Sequence, residues 1–273
     1  MGIRNLLPTA NSTGTVLAPS NASSSAMSTS TKAATNVDLE LQRTFWNEWN
    51  TTSREKVPLT AHAKLEASVI LGWLRELGRQ DLSILEIGCG SGWLSERLAE
   101  YGDVTGLDMA DEVLERARLR APHITWLAGD FAEMDFPLRS FDVVVHMDTL
   151  SHVPNQPAFM AKIASLLKPG GRMLVGTQNA FVYSRISWVQ PTRPGHIRKW
   201  VTAGELQRLA DPHFDILELR SIGPEGDQGI LRWLNAPKVY RFVAPLIGGR
   251  ERYDRIKERM GLGRSLMLHA QAR

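Results

Sequence analysis

Ser83 to Gly92 reads S-I-L-E-I-G-C-G-S-G, and no other stretch narrows the fold as far. Ile84, Leu85 and Ile87 make a short apolar run, the pattern of a strand buried on both faces of a parallel sheet. Glycines follow at 88, 90 and 92, and Trp93 to Ala99 then sets apolar residues at helical spacing. Strand, glycine turn and helix in succession lay out a nucleotide-type crevice. Glycine lets backbone pass close to a ligand, and a helix N-terminus offers unpaired N–H groups.

The spacing bears on which ligand. A dinucleotide fingerprint, G-x-G-x-x-G, sets the pyrophosphate on the helix N-terminus. Here the pattern is G-x-G-x-G, and Glu86 precedes the first glycine. A carboxylate there opposes a phosphate and suits a cation. The run E-I-G-C-G-S-G resembles the first motif of the class I methyltransferases that use S-adenosylmethionine, a cofactor with an amino group, a sulfonium and no phosphate. A glycine-rich turn without such a ligand is the alternative.

Later segments extend the resemblance. Val104 to Asp108 reads as a second strand ending on an acid, the place where ribose hydroxyls of either cofactor type are received. His123 to Leu127 reads as a third strand, followed by Gly129-Asp130-Phe131. In the resembled family the acid at that place meets the adenine amino group and its neighbour flanks the ring. Phe141 to Val145 is a fourth strand running into His146-Met147-Asp148, and Leu167 to Val175 is similar to the family's L-K-P-G-G turn and fifth strand. The resemblance implies S-adenosylmethionine held by Glu86, Gly88, Cys89, Gly90, Gly92, Asp108, Met109, Asp130, Phe131 and His146.

A formal charge of only +3 over 273 residues is too mild to imply nucleic acid. One cysteine excludes an intrachain disulfide framework and any multi-cysteine metal site, and fits a reducing, cytoplasmic setting. Cys89 as a nucleophile competes with the plainer reading that the turn needs a small side chain. No apolar run approaches a membrane span. Residues 1–36, rich in Ser, Thr, Ala and Asn with no acid before Asp38, read as a disordered tail, leaving 37–273 as the methyltransferase domain.

The cluster F-W-N-E-W-N at 45–50 reads as a helix, either capping the sheet or forming a lid over cofactor and acceptor. Thr60 to Leu77 is an amphipathic helix with Leu65, Val69, Ile70, Trp73, Leu74 and Leu77 inward, stopped by Gly78. Helices at 111–120 and 156–167 alternate with the strands. The alternation predicts a doubly wound, Rossmann-like α/β sheet of seven strands, the seventh antiparallel, with helices on both faces, an N-terminal helical lid and a helical insert between strands six and seven. Thr202 and Glu205 form a capping box. His196 to Leu206 resembles a segment after strand five in ubiquinone-pathway O-methyltransferases. Strands six and seven fall at 214–222 and 265–270. The insert, 228–263, mixes aromatic and basic residues; it reads as a membrane-surface contact or hydrophobic-acceptor site, or as a packed cap or homodimer contact with a solvated basic face.

Methyl transfer needs alignment and exclusion of water, and for a hydroxyl acceptor also a base. His152, His196 and His146 are the candidates, each with a structural alternative as a hydrogen-bonded loop residue. No spacing suggests a metal site. The expected function is methylation of a small, hydrophobic or aromatic molecule, first at oxygen, alternatively at nitrogen or carbon of a small metabolite or of a lipid or quinone precursor. A scaffold that binds the cofactor without turnover is the third reading. Nucleic-acid acceptors are not expected, because the place of an N-P-P-Y-like tetrad reads H-M-D-T.

Overall fold

The computed structural model describes residues 39–54 and 59–273; the expected N-terminal tail lies outside the described residues. Helix α1 covers residues 39–49 and runs into a π-helical turn, Asn50–Arg54. Then come α2 (Ala61–Leu77), β1 (Leu82–Ile87), α3 (Ser95–Leu98), β2 (Gly102–Asp108), α4 (Asp111–Arg120), β3 (Thr125–Ala128) and β4 (Phe141–Met147). The rest is α5 (Gln156–Leu166), β5 (Leu167–Gln178), α6 (Ala180–Tyr183), α7 (Ala203–Ala210), β6 (Phe214–Pro224), α8 (Gly229–Leu234), α9 (Pro237–Phe242), α10 (Arg250–Arg259) and β7 (Gly263–Ala272).

The seven strands form one sheet in the order β3-β2-β1-β4-β5-β7-β6. β7 runs antiparallel to both its neighbours, and the other pairs are parallel. Because the order reverses between β1 and β4, the carboxyl ends of those two strands open the crevice. Alternate residues feed opposite faces. Leu85, Ile87 and Val144 pack with Phe159 and Ile163 of α5, while Ile84, Val143 and Val145 pack with Ile70, Trp73 and Leu74 of α2. Both faces are covered, which is why adjacent residues are apolar at Ile84 and Leu85 of β1 and at Val143 to Val145 of β4.

Local signals set the helix ends. The Thr60 hydroxyl accepts from the Ala63 N–H at 3.1 Å, and Gly78 closes α2 in the left-handed region at φ 64°. Both halves of the Thr202–Glu205 capping box are formed. Three expectations shift. Leu65 is 40% exposed, and the next residue, Glu66, turns inward instead, accepting from the Ser265 hydroxyl on β7 at 2.5 Å. The third strand starts at Thr125, since residues 121–124 form a turn closed by the Ile124 N–H on the Ala121 carbonyl, which also accepts from the Trp126 indole N–H at 3.0 Å. The helix after the glycine turn shrinks to α3, with a 3₁₀ turn at Ala99–Tyr101.

Trp126 explains the third glycine of the turn. Gly92 has φ 78°, and a Cβ built there would overlap the Trp126 ring. Gly92→Ala should therefore lose about 1–3 kcal/mol of stability, from strained backbone plus a displaced indole. Urea unfolding would check this, and an unchanged midpoint would contradict the packing described.

Candidate functional site

The glycine turn spends its amides on its own chain. The N–H groups of Gly88 and Cys89 both donate to the Leu107 carbonyl, at 2.7 and 3.1 Å, and that of Gly92 donates to the Cys89 carbonyl at 2.9 Å. The Gly90 N–H donates to Asp108 Oδ2 at 2.7 Å, while Asp108 Oδ1 accepts from the Ala110 N–H at 2.8 Å. The helix that follows is four residues long. The four amides of the turn itself point inward, so no phosphate cradle is built from them. Asp108 keeps acceptor capacity beyond these backbone bonds for a ligand hydroxyl.

Glu86 lies beneath the turn, 3% exposed, and accepts a hydrogen bond from the Ser95 hydroxyl. Burial, reinforced by nearby Asp108, pushes its carboxyl up to about 8 against the Ser95 bond. It is therefore largely protonated at neutral pH until a cation comes near. Burial likewise raises Asp108 above the ordinary carboxyl range against the hydrogen bonds that favour its charged form. Cys89 is buried, and the loss of hydration holds its thiol well above the usual value, so it is no nucleophile at neutral pH.

Two segments cover the turn. From one side comes α1, whose Asn47 donates to Asp111 at 2.9 Å at the start of α4. Three residues on, Asn50 stands over the turn: a Cβ at Gly90, φ 51°, would come within 2.8 Å of its Oδ1. From the other side comes the segment after β4, where the Thr149 hydroxyl donates to the Ile87 carbonyl at 2.9 Å. Beside β2, the Gly129 N–H donates to the Asp108 carbonyl at 2.9 Å, Asp130 accepts from the Ala132 N–H at 3.0 Å, and Phe131 is buried edge-on against Phe159. Lys162 ties that loop to α5 through the Phe131, Ala132 and Met134 carbonyls. Met109, half-buried, continues directly from Asp108.

The three histidines separate. His152 and His196 meet with ring centres 5.1 Å apart. Trp46 sits edge-on to His152 at 4.6 Å, and Phe45 stacks on His196 at 4.6 Å, so α1 holds both rings. His152 Nδ1 lies 2.7 Å from the Ile197 carbonyl, an acceptor, so Nδ1 carries the proton and Nε2 is left basic. Burial brings both histidines down to about 4, with the Arg198 charge adding to the effect in each. His146 is elsewhere: wholly buried on the sheet face covered by α5, edge-on to Phe159 and brought to about 3 by burial.

Sequence reading missed the partners that close the site. Trp46, Asn47 and Asn50 belong to the F-W-N-E-W-N cluster, and the 47/50 spacing puts both asparagines on one helix face. Their targets lie 40 or more residues away, and no local pattern names them.

Residues 84–171 match the family model described as a methyltransferase domain. The chain is 30% identical over 149 residues to the ubiquinone biosynthesis O-methyltransferase of Coxiella burnetii, covering 46% of this chain and 64% of that protein, so the match spans under two thirds of the relative. Among solved structures, a chain in the complex of the Haloferax volcanii Trm112 methyltransferase activator with a methyltransferase superposes with a TM-score of 0.60 at 20% identity, covering 83% of this chain and 97% of that one. The N-methyltransferase NodS of Bradyrhizobium japonicum, in complex with S-adenosyl-L-homocysteine, gives 0.58 at 16% identity, covering 85% and 98%. Residues 84–171 thus carry the match to a methyltransferase domain, and the seven-stranded fold around them is the one seen in these methyltransferase structures.

Proposed function

We propose that this chain transfers a methyl group from S-adenosylmethionine to a hydroxyl of a small, apolar or aromatic acceptor. The observation that carries the cofactor assignment is the turn itself: four of its amides are spent internally, and a buried carboxyl lies beneath it. That donor set suits a cationic ligand without phosphate better than a dinucleotide. When bound, the cofactor supplies a methyl group on a sulfonium, and the S–CH3 bond breaks toward sulfur as the O–CH3 bond forms.

The chain's own residues have three tasks. Asp108 offers lone pairs to ribose hydroxyls, with Met109 beside it. The Asp130–Phe131 turn flanks the base, and Glu86 answers the positive charge beneath the glycines at 88, 90 and 92, with Cys89 as the small residue between them. The acceptor proton goes to His152 Nε2, with the Nδ1–H anchored on the Ile197 carbonyl. His196 holds that ring against α1 and is a positioning residue, while His146 supports the sheet beneath the site. A histidine brought down to about 4 is always unprotonated at physiological pH but is a weak base. It matches an acidic hydroxyl, a phenol or enol, better than an aliphatic alcohol. The resemblance to an O-methyltransferase of Coxiella burnetii supports oxygen as the atom methylated. The single, buried cysteine supports a cytoplasmic setting; among the described residues, no helix is long and apolar enough to cross a membrane.

Incubating the protein with labelled S-adenosylmethionine and a panel of phenols, alcohols and amines tests this reading. Label should pass to phenols, and transfer to amines alone would replace it with N-methylation. His152→Ala should lower kcat by about 100-fold while leaving the affinity for S-adenosylhomocysteine unchanged. Loss of both would make His152 structural.

Glu86 adds a prediction in pH. The cation favours the ionised form of a carboxyl that otherwise keeps its proton up to about 8, so wild-type affinity for S-adenosylmethionine should rise as the pH climbs towards that value, and Glu86→Gln should flatten the rise. The same group costs stability. Folded Glu86 stays protonated up to about 8, whereas the unfolded side chain ionises above its ordinary 4.5. Unfolding therefore releases a proton, and stability falls as pH climbs through that window. Glu86→Gln should raise the thermal midpoint near pH 8 and leave it unchanged below about 4.5. Equal midpoints near pH 8 would show that Glu86 is not buried as a neutral acid.

A further inference from the structure

Between β6 and β7 the chain leaves the sheet for α8, α9, a 3₁₀ turn at Ala244–Ile247 and α10. Over 228–263 it carries eight Lys and Arg against three Asp and Glu. The inner side of this excursion is closed. Leu231 packs with Val182 and Ile186, and the Tyr253 hydroxyl donates to the Leu234 carbonyl at 3.0 Å. Lys257, 2% exposed, bonds to Asn235 at 2.9 Å, to the Tyr240 hydroxyl and to Asp254 at 2.8 Å.

The exposed side chains of the excursion include a run of large apolar ones. Ile230 and Trp233 lie one turn apart on α8, 59% and 73% exposed, facing away from buried Leu231. Phe242 and Leu246 follow at 63% and 84%. Among the described residues, seven of the thirteen exposed large hydrophobic side chains fall in this one stretch, a concentration that scattered surface hydrophobics do not produce. Arg232, Lys238, Arg241 and Arg252 stand exposed among them, and the Arg241 guanidinium lies over the Phe242 ring at 5.5 Å.

We propose that this helical excursion docks the protein on the surface of an anionic lipid bilayer. The apolar side chains enter the boundary between headgroups and acyl chains, and the arginines and lysine lie on the lipid phosphates, their stems adding apolar contact. Charge complementarity selects this occupant. A second copy of the chain, meeting the same face about a twofold axis, would set one basic surface against another. An uncharged apolar partner would leave the arginines unanswered. The inference does not depend on which acceptor is methylated.

Co-sedimentation of the full chain with sucrose-loaded vesicles tests it, using pure phosphatidylcholine and phosphatidylcholine mixed with phosphatidylglycerol. The protein should pellet with the mixed vesicles, release as salt rises, and stay in solution with the pure ones. The triple variant Trp233→Ser, Phe242→Ser, Leu246→Ser should bind at least about tenfold more weakly, with an unchanged thermal midpoint because all three side chains are exposed. Should the triple variant misfold, the charge variant Arg232→Gln, Arg241→Gln is read in its place, with the same loss expected. No binding of wild type to either vesicle would overturn the proposal, as would variants that bind as wild type. A dimer in light scattering that dissociates in the triple variant, without vesicle binding, would overturn it in favour of a contact between copies. Equal retention on an RNA homopolymer and on anionic vesicles, unaffected by the apolar substitutions, would overturn it in favour of a general polyanion surface.

Discussion

The site depends on one carboxylate. Asp108, at the end of β2, accepts from the Gly90 N–H with one oxygen and from the Ala110 N–H with the other. The first bond curls the glycine turn over the ends of β1 and β2, and the second sets the start of α4. Hydrogen bonds to a charged group contribute about 1.5–3 kcal/mol each, enough to hold a turn whose glycines at 88, 90 and 92 all have positive φ. The same bonds remove the Gly90 amide from any ligand. A pyrophosphate would have to compete with Asp108 for it, whereas ribose hydroxyls would add to Asp108.

The rest of the site is built outward from that turn. Asn50 covers it from the turn after α1, Thr149 from the segment after β4. α1 meets that segment through the Trp46–His152 ring contact, and meets the loop after α6 through Phe45–His196. Arg43 and Asn47 fasten α1 to Asp111, which tops the helix that Asp108 starts. Cradle, cover and proposed base are thus one connected set of contacts. The cost is a desolvated interior: Glu86 is pushed up and His152 and His196 are pushed down, so each sits in its neutral form at physiological pH. Neutral groups are cheap to bury. Glu86 loses its proton when a cation or a higher pH draws it off, and His152 is left unprotonated.

Much of this was legible in the chain because it is local. The strand–glycine–helix run, the acid ending β2, the Thr202–Glu205 box and the Gly78 stop each depend on residues within a few positions of one another. The antiparallel seventh strand came from the resemblance, and the register with β5 and β6 agrees. What could not be read was long-range or atomic. Helical periodicity does not say which of Leu65 and Glu66 turns inward, since the answer lies in Ser265 on β7. Glycine spacing does not say whether amides point at a ligand or back at Leu107 and Asp108. The three histidines look equivalent in sequence, yet strand alternation sends His146 to the α5 side while the loop brings His152 and His196 together.

Titration calorimetry of the full chain with S-adenosylhomocysteine, run beside NAD, tests whether Asp108 and its turn are built for this ligand. S-adenosylhomocysteine should bind at micromolar affinity, weakened in Asp108→Ala by about 1–3 kcal/mol, and NAD should give no heat. Binding of NAD, or an affinity for S-adenosylhomocysteine indifferent to Asp108→Ala, would mean that the carboxylate holds the turn for some other ligand.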